Sequence, residues 1–156
     1  MQRNIEEVKE ILNKHLDELI GQFKINLIYI FGSFAKGNNR EDSDLDIAVL
    51  LEGETNPFIK LELLNELIDI FHRDDIDLVI LNSVDEVLKF QVIKYGKVIY
   101  MEDLTTKVMF EARVMSEYMD MEHFRNIQQE YTHKRFLEVI KNDKKNLNCT
   151  DDFSEE

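Results

Sequence analysis

Several ingredients are scarce in this chain, and each scarcity closes a class of function. Cysteine occurs once, at Cys149, so neither a disulfide framework nor a thiolate zinc site can be built. The histidines, His15, His72, His123 and His133, lack the close His, Cys and carboxylate spacing of a zinc site and fit helix-surface or part-buried positions better. Proline occurs once and glycine five times, with no Pro/Gly linker, repeat or low-complexity block dividing the chain. Long apolar runs are missing too: none approaches the roughly 20 residues a bilayer span needs. The N-terminus has no basic-then-apolar signal pattern, so the expectation is a cytosolic protein without a membrane partner. Basic residues are outnumbered, with 19 Lys and Arg against 32 Asp and Glu and a net charge of −13. That balance disfavours non-specific binding to a phosphate backbone, so no direct nucleic-acid partner is expected.

What is present suits one folded domain of 156 residues, with 44% apolar residues that include ten Phe and five Tyr. Ile5, Val8, Leu12, Leu16 and Leu19 recur at helical spacing, with Asn4 as N-cap and Gly21 as the expected stop. Apolar runs at 25–31, 46–51 and 75–81 read as strands. Pro57 fits the first turn of a helix whose apolar face carries Phe58, Leu61, Leu64, Leu67, Ile68 and Phe71. "SVDE" at 83–86 reads as a capping box for a helix ending at Tyr95-Gly96, and "KVIYME" as a short edge strand. From Leu104 to about Ile140 the pattern is helical. Val108, Met115, Tyr118, Phe124, Ile127, Tyr131, Leu137 and Ile140 are its expected buried positions, with a break near Asp120. The fold class is therefore α+β, a mixed sheet covered by helices with a helical C-terminal extension. A single domain is expected over 1–140, of which about 104–140 is helical, followed by a polar, disordered tail over 141–156.

The chemistry concentrates in "IYIFGSFAKGNNREDSDLDIAVLLE", residues 28–52. Alternation along a strand puts Asp44 and Asp46 on one side of it, and two close carboxylates repel unless a cation lies between them. Hard Mg²⁺ suits such oxygens and prefers a few carboxylates plus substrate phosphates to a closed protein cage. Gly32 lets the backbone approach a ligand, and Ser33, opening a short helix, can present its N–H and hydroxyl to phosphate oxygens. Asp77, in "DIDLVIL", is the third carboxylate, with Asp75 its rival on the same face.

"GSFAKGNNREDSDLD" resembles the Gly-Ser, ten residues, Asp-x-Asp signature of the polymerase β-like nucleotidyltransferases. "DIDLVIL" resembles their third-carboxylate strand, and "LKFQVIKYGKVIYMED" the helix, glycine and strand that follow it. With the helical C-terminus, the resemblance covers residues 4–140. Short length and late helices look most like the MntA antitoxins, the partners of HEPN-domain ribonuclease toxins. That resemblance implies transfer of AMP from ATP to a tyrosine of the toxin, with pyrophosphate released and a higher-order complex conceivable. It implies that Gly32 and Ser33 hold the nucleotide phosphates and that Asp44, Asp46 and Asp77 ligate two Mg²⁺. It also sets Lys36 at the position of a basic loop residue. Arg125 and His133 are too far apart for the toxin's own Arg-His motif. Two other functions compete: an antitoxin that masks the toxin without catalysis, and an adenylyltransferase for a small aminoglycoside-like molecule, which usually needs a larger acceptor domain.

Overall fold

The structure, a computed structural model, describes residues 4–150, with the side chains of 148–150 outside that description; the Cys149 side chain and residues 151–156 of the expected tail therefore lie outside it. Two compact units are distinguished, one through Ser116 and one from Glu117.

In the first unit, α1 (Ile5–Phe23) leads into β1 (Ile25–Phe31), α2 (Gly32–Lys36), β2 (Leu45–Leu51), α3 (Pro57–Phe71), β3 (Ile76–Ile80), α4 (Glu86–Tyr95) and β4 (Lys97–Met101), and α5 starts at Leu104. The strands form one sheet in the order β3-β2-β1-β4. β1 pairs antiparallel with β2 and with β4, whereas β2 and β3 run parallel. The mixed sheet and the edge position of β4 match the pattern expected from the sequence.

Strand alternation sends side chains to two faces. Ile28, Ile30, Ile47, Val49 and Leu78 pack under α1 and α3, where Val8, Leu12, Leu19, Leu63, Leu67 and Phe71 complete the larger core. Leu27, Tyr29 and Ala48 point the other way, against Val92, Leu88 and Ile93 of α4 and Phe110 of α5. A polar tie joins this smaller layer to α5. The buried Tyr29 hydroxyl donates to Glu111 Oε1 at 2.9 Å, and Lys107 Nζ lies 3.3 Å from Glu111 Oε2. Burial first, then the neighbouring carboxylate, pushes the Tyr29 phenol far above its ordinary range and keeps it a donor.

Helix ends follow local chemistry, with some corrections to the sequence expectation. Asn4 and Asn56 cap α1 and α3 by accepting from the backbone N–H of Glu7 and Ile59. α4 is capped by Asp85, which accepts from Leu88 N, and not by Ser83. Gly21 lies inside α1; the left-handed stop is Lys24 at φ 50, and His72 plays the same part after α3 at φ 53. Both bear a Cβ, so these turns are held by the sheet and helix they join rather than by a permissive residue. Gly96 is needed for space, since a Cβ there would lie 2.4 Å from the Val92 carbonyl. Phe58 and Leu61 are exposed, so the buried stripe of α3 is narrower than its apolar pattern.

α5 is one helix, Leu104–Thr150, without the break expected near Asp120 and with helix through 141–150. No proline or glycine lies in this stretch to interrupt it. Of the positions expected to be buried, Val108, Met115, Phe124, Ile127, Tyr131, Leu137 and Ile140 are exposed and Tyr118 is half-buried; Val114 is buried instead. The helical period was legible, but a stripe becomes buried only where another element covers it.

Candidate active site

Topology gathers the chemically distinctive residues at one end of the sheet. β1 runs toward Phe31 and then turns into α2, while β2 begins beside it in the opposite direction, so Phe31 stands across from Asp46. β3 starts alongside β2 in parallel, with Asp46 in register with Asp77. Asp46 and Asp77 are thus nearest neighbours on adjacent strands, on the face opposite α1 and α3. Asp44 precedes β2 by one residue and shares its side.

The electrostatics follow from that crowding. Burial, then the Asp77 charge, then the Asp44 charge push the Asp46 carboxyl up to about 6. An ionised Asp46 here is an anion facing two further anions. Among the described residues no three His, Cys, Asp or Glu groups are gathered tightly enough to enclose a metal ion by themselves. The arrangement is an open carboxylate ledge, not a closed cage.

Gly32 fits against this ledge. It sits at φ +67, where an L side chain is strained, and a Cβ there would lie 2.0 Å from Asp46 Oδ2. Only glycine lets α2 begin directly beside that carboxylate. Ser33 follows in the first turn, half-buried, and its carbonyl accepts from Asn38 N at 3.1 Å. α2 has five residues, so it can offer N–H groups, while its helix dipole is small.

Lys36 closes α2, exposed, with Nζ 5.9 Å from the centre of the Tyr95 ring. Lys94 Nζ lies 5.1 Å from the same ring. The structure thus brings Gly32, Asp44, Asp46 and Asp77 to one place, with Ser33 beside them, and sets Lys36 at the α2–α4 contact.

Asp75 has a different fate from Asp77. Arg73 Nε and Nη2 donate to its two oxygens at 2.5 and 2.6 Å, and this pairing holds the Asp75 carboxyl below its usual range. Asp75 is engaged, which leaves Asp77 as the β3 carboxylate beside Asp46. Sequence reasoning did not single out Arg73. Its signal was an arginine directly ahead of "DDID", two residues past the end of α3.

The wider likeness of the chain agrees with this geometry. Residues 6–105 match the family described as polymerase beta, nucleotidyltransferase. The protein adenylyltransferase MntA of Aphanizomenon flos-aquae is 32% identical over 125 residues, covering 74% of this chain and 83% of that protein. A crystal structure of a toxin-antitoxin with AMP-PNP superposes with a TM-score of 0.65 at 31% identity, covering 76% of this chain and 92% of that one. The complex of tri-AMPylated Shewanella oneidensis HEPN toxin with MNT antitoxin gives 0.62 at 29% identity, over 78% and 93%. With the family's span containing the Gly-Ser turn and all three carboxylates, the chain belongs to the polymerase β nucleotidyltransferase family and groups within it with the MntA protein adenylyltransferases.

Proposed function

We propose that this chain is an antitoxin enzyme that transfers AMP from ATP to a tyrosine of a HEPN-domain ribonuclease toxin and thereby neutralises it. The observation that carries the proposal is the ledge itself: Asp46 in register with Asp77, its carboxyl pushed up by burial and then by its carboxylate neighbours, and backed by a glycine that no other residue could replace without displacing Asp46. Similar chains solved with AMP-PNP and with an AMPylated HEPN toxin supply the substrate and partner classes.

In this scheme Gly32 and Ser33 hold the nucleotide phosphates through close backbone approach and the Ser33 hydroxyl. Lys36 adds a point charge near them. Asp44, Asp46 and Asp77 would ligate two Mg²⁺ together with the nucleotide, since an open carboxylate set leaves positions for phosphate oxygens and its mutual repulsion favours a cation. When bound, such ions would offset the charge on the reacting phosphate and on the departing pyrophosphate. The tyrosine oxygen bonds to the α-phosphorus as the bond to the pyrophosphate oxygen breaks, and the Asp77 carboxylate receives the phenolic proton. The exposed apolar positions of α5 offer a surface of the kind a protein partner covers.

Peptide mass spectrometry on a cognate HEPN-domain toxin, purified after co-expression with this chain, tests the acceptor directly. A tyrosine peptide carrying adenylyl groups is expected, and it should be unmodified when Asp44→Asn/Asp46→Asn replaces the wild type. A neutralised toxin whose tyrosines are all unmodified would contradict the proposal.

A further inference from the structure

We propose that Arg73 is the positioning residue of this site, fixing the backbone from which Asp44 presents its carboxylate to a divalent cation. The inference rests on the proposed metal-binding role of Asp44.

Arg73 is buried, with only 6% of its side chain exposed, a position an arginine holds only when its donors are satisfied. Its fork grips Asp75 through Nε and Nη2. Nη2 also donates to the Ser43 carbonyl at 2.8 Å. The guanidinium lies 5.5 Å from the centre of the Phe34 ring. These three contacts fall on three separate stretches of chain, and each adjoins a residue of the ledge. Phe34 follows Ser33 in α2, Ser43 precedes Asp44, and Asp75 stands two residues before Asp77.

The Ser43 contact decides the matter. The connection from α2 to β2 is largely exposed from Gly37 to Asp42, so packing does little to fix it. It closes on itself through Arg40 N donating to Ser43 Oγ at 2.7 Å and Ser43 N donating to Arg40 O at 3.1 Å. On the far side of Asp44, Leu45 N donates to Asp75 O at 2.9 Å. The peptides on both sides of Asp44 are thus tied to the start of β3, one by the ladder and the other by Arg73. Asp75 contributes in a second way. By engaging two donors of the fork, it restrains the guanidinium from turning to Asp44 and taking the place of a cation. Lysine, a point charge on a flexible stem, cannot make the fork, the carbonyl contact and the ring contact together.

The test is Mn²⁺ affinity, read by electron paramagnetic resonance on the full chain with a non-hydrolysable ATP analogue, and it needs no turnover. The variants are Arg73→Lys, Asp75→Asn, Asp44→Asn and the double Arg73→Lys/Asp44→Asn, each first checked for folding by circular dichroism. Arg73→Lys and Asp75→Asn are each expected to weaken Mn²⁺ binding about tenfold, the usual scale for groups that orient a ligand. In the Asp44→Asn background Arg73→Lys should add no more than a factor of about two, since coupled residues are not additive. Should Arg73→Lys fail to fold, Asp75→Asn with and without Asp44→Asn completes the same cycle. Wild-type affinity in Arg73→Lys, or losses that multiply in the double variant, would overturn the proposal alone. Wild-type affinity in Asp44→Asn would overturn the metal-binding role of Asp44 and the proposal with it.

Discussion

On one face of the sheet, α1 and α3 close over Ile28, Ile30, Ile47, Val49 and Leu78 with Val8, Leu12, Leu19, Leu63, Leu67 and Phe71. On the other, α4 and the first turns of α5 cover Leu27, Tyr29 and Ala48, and the same face carries Asp46 and Asp77 at the end where β1 turns into α2. The difference teaches where stability and chemistry reside. The first face gains from every buried side chain. The second keeps mutually repelling carboxylates at a cost in stability that a bound cation would offset.

The largest break in this comparison should come from the first face. Leu63, fully buried in α3, replaced by alanine should cost about 3 kcal/mol by denaturant unfolding, with the folded fraction still active. On the second face the pattern should reverse. Gly32→Ala puts a Cβ where Asp46 Oδ2 lies and strains a positive φ. AMP transfer should drop about a hundredfold, the scale of a misplacement near 1 Å, with ATP turnover the measurement.

Asp46→Asn sharpens the contrast further, because it should stabilise the metal-free protein. The Asp46 carboxyl is raised from 3.8 to about 6 on folding, so its contribution to stability is fully present below pH 3.8 and is lost as pH rises through about 6. The asparagine avoids that loss. Thermal melts without divalent cations should therefore show a gain of roughly 3 °C above pH 6 and none near pH 4. Smallest is Tyr29→Phe, which removes the hydroxyl donated to Glu111. It should cost about 1 kcal/mol in the same unfolding assay.

Much of the first face was legible in the sequence because period and burial coincide there. Val8, Leu12 and Leu19 are buried as their spacing predicts, and β1 spans Ile25–Phe31 as the apolar run does. The carboxylates were legible for another reason: alternation and strand order suffice to bring Asp46 and Asp77 together once β3 lies beside β2. Features set by a single torsion or a distant partner were not. Whether Gly21 or Lys24 ends α1 depends on one left-handed residue, and whether Ser83 or Asp85 caps α4 on which side chain reaches Leu88 N. Exposure along α5 depends on what covers it, which no periodicity contains. Arg73 was hidden because its partners, Phe34, Ser43 and Asp75, meet only in three dimensions.

The most direct test of the central claim, that the carboxylate face performs AMP transfer, is label transfer from α-labelled and separately γ-labelled ATP, with Mg²⁺, to a purified cognate HEPN-domain toxin. Wild type should transfer the α label only, and Asp44→Asn/Asp46→Asn neither. A toxin silenced by both proteins with no label on it would contradict the account and leave masking as the mode of neutralisation.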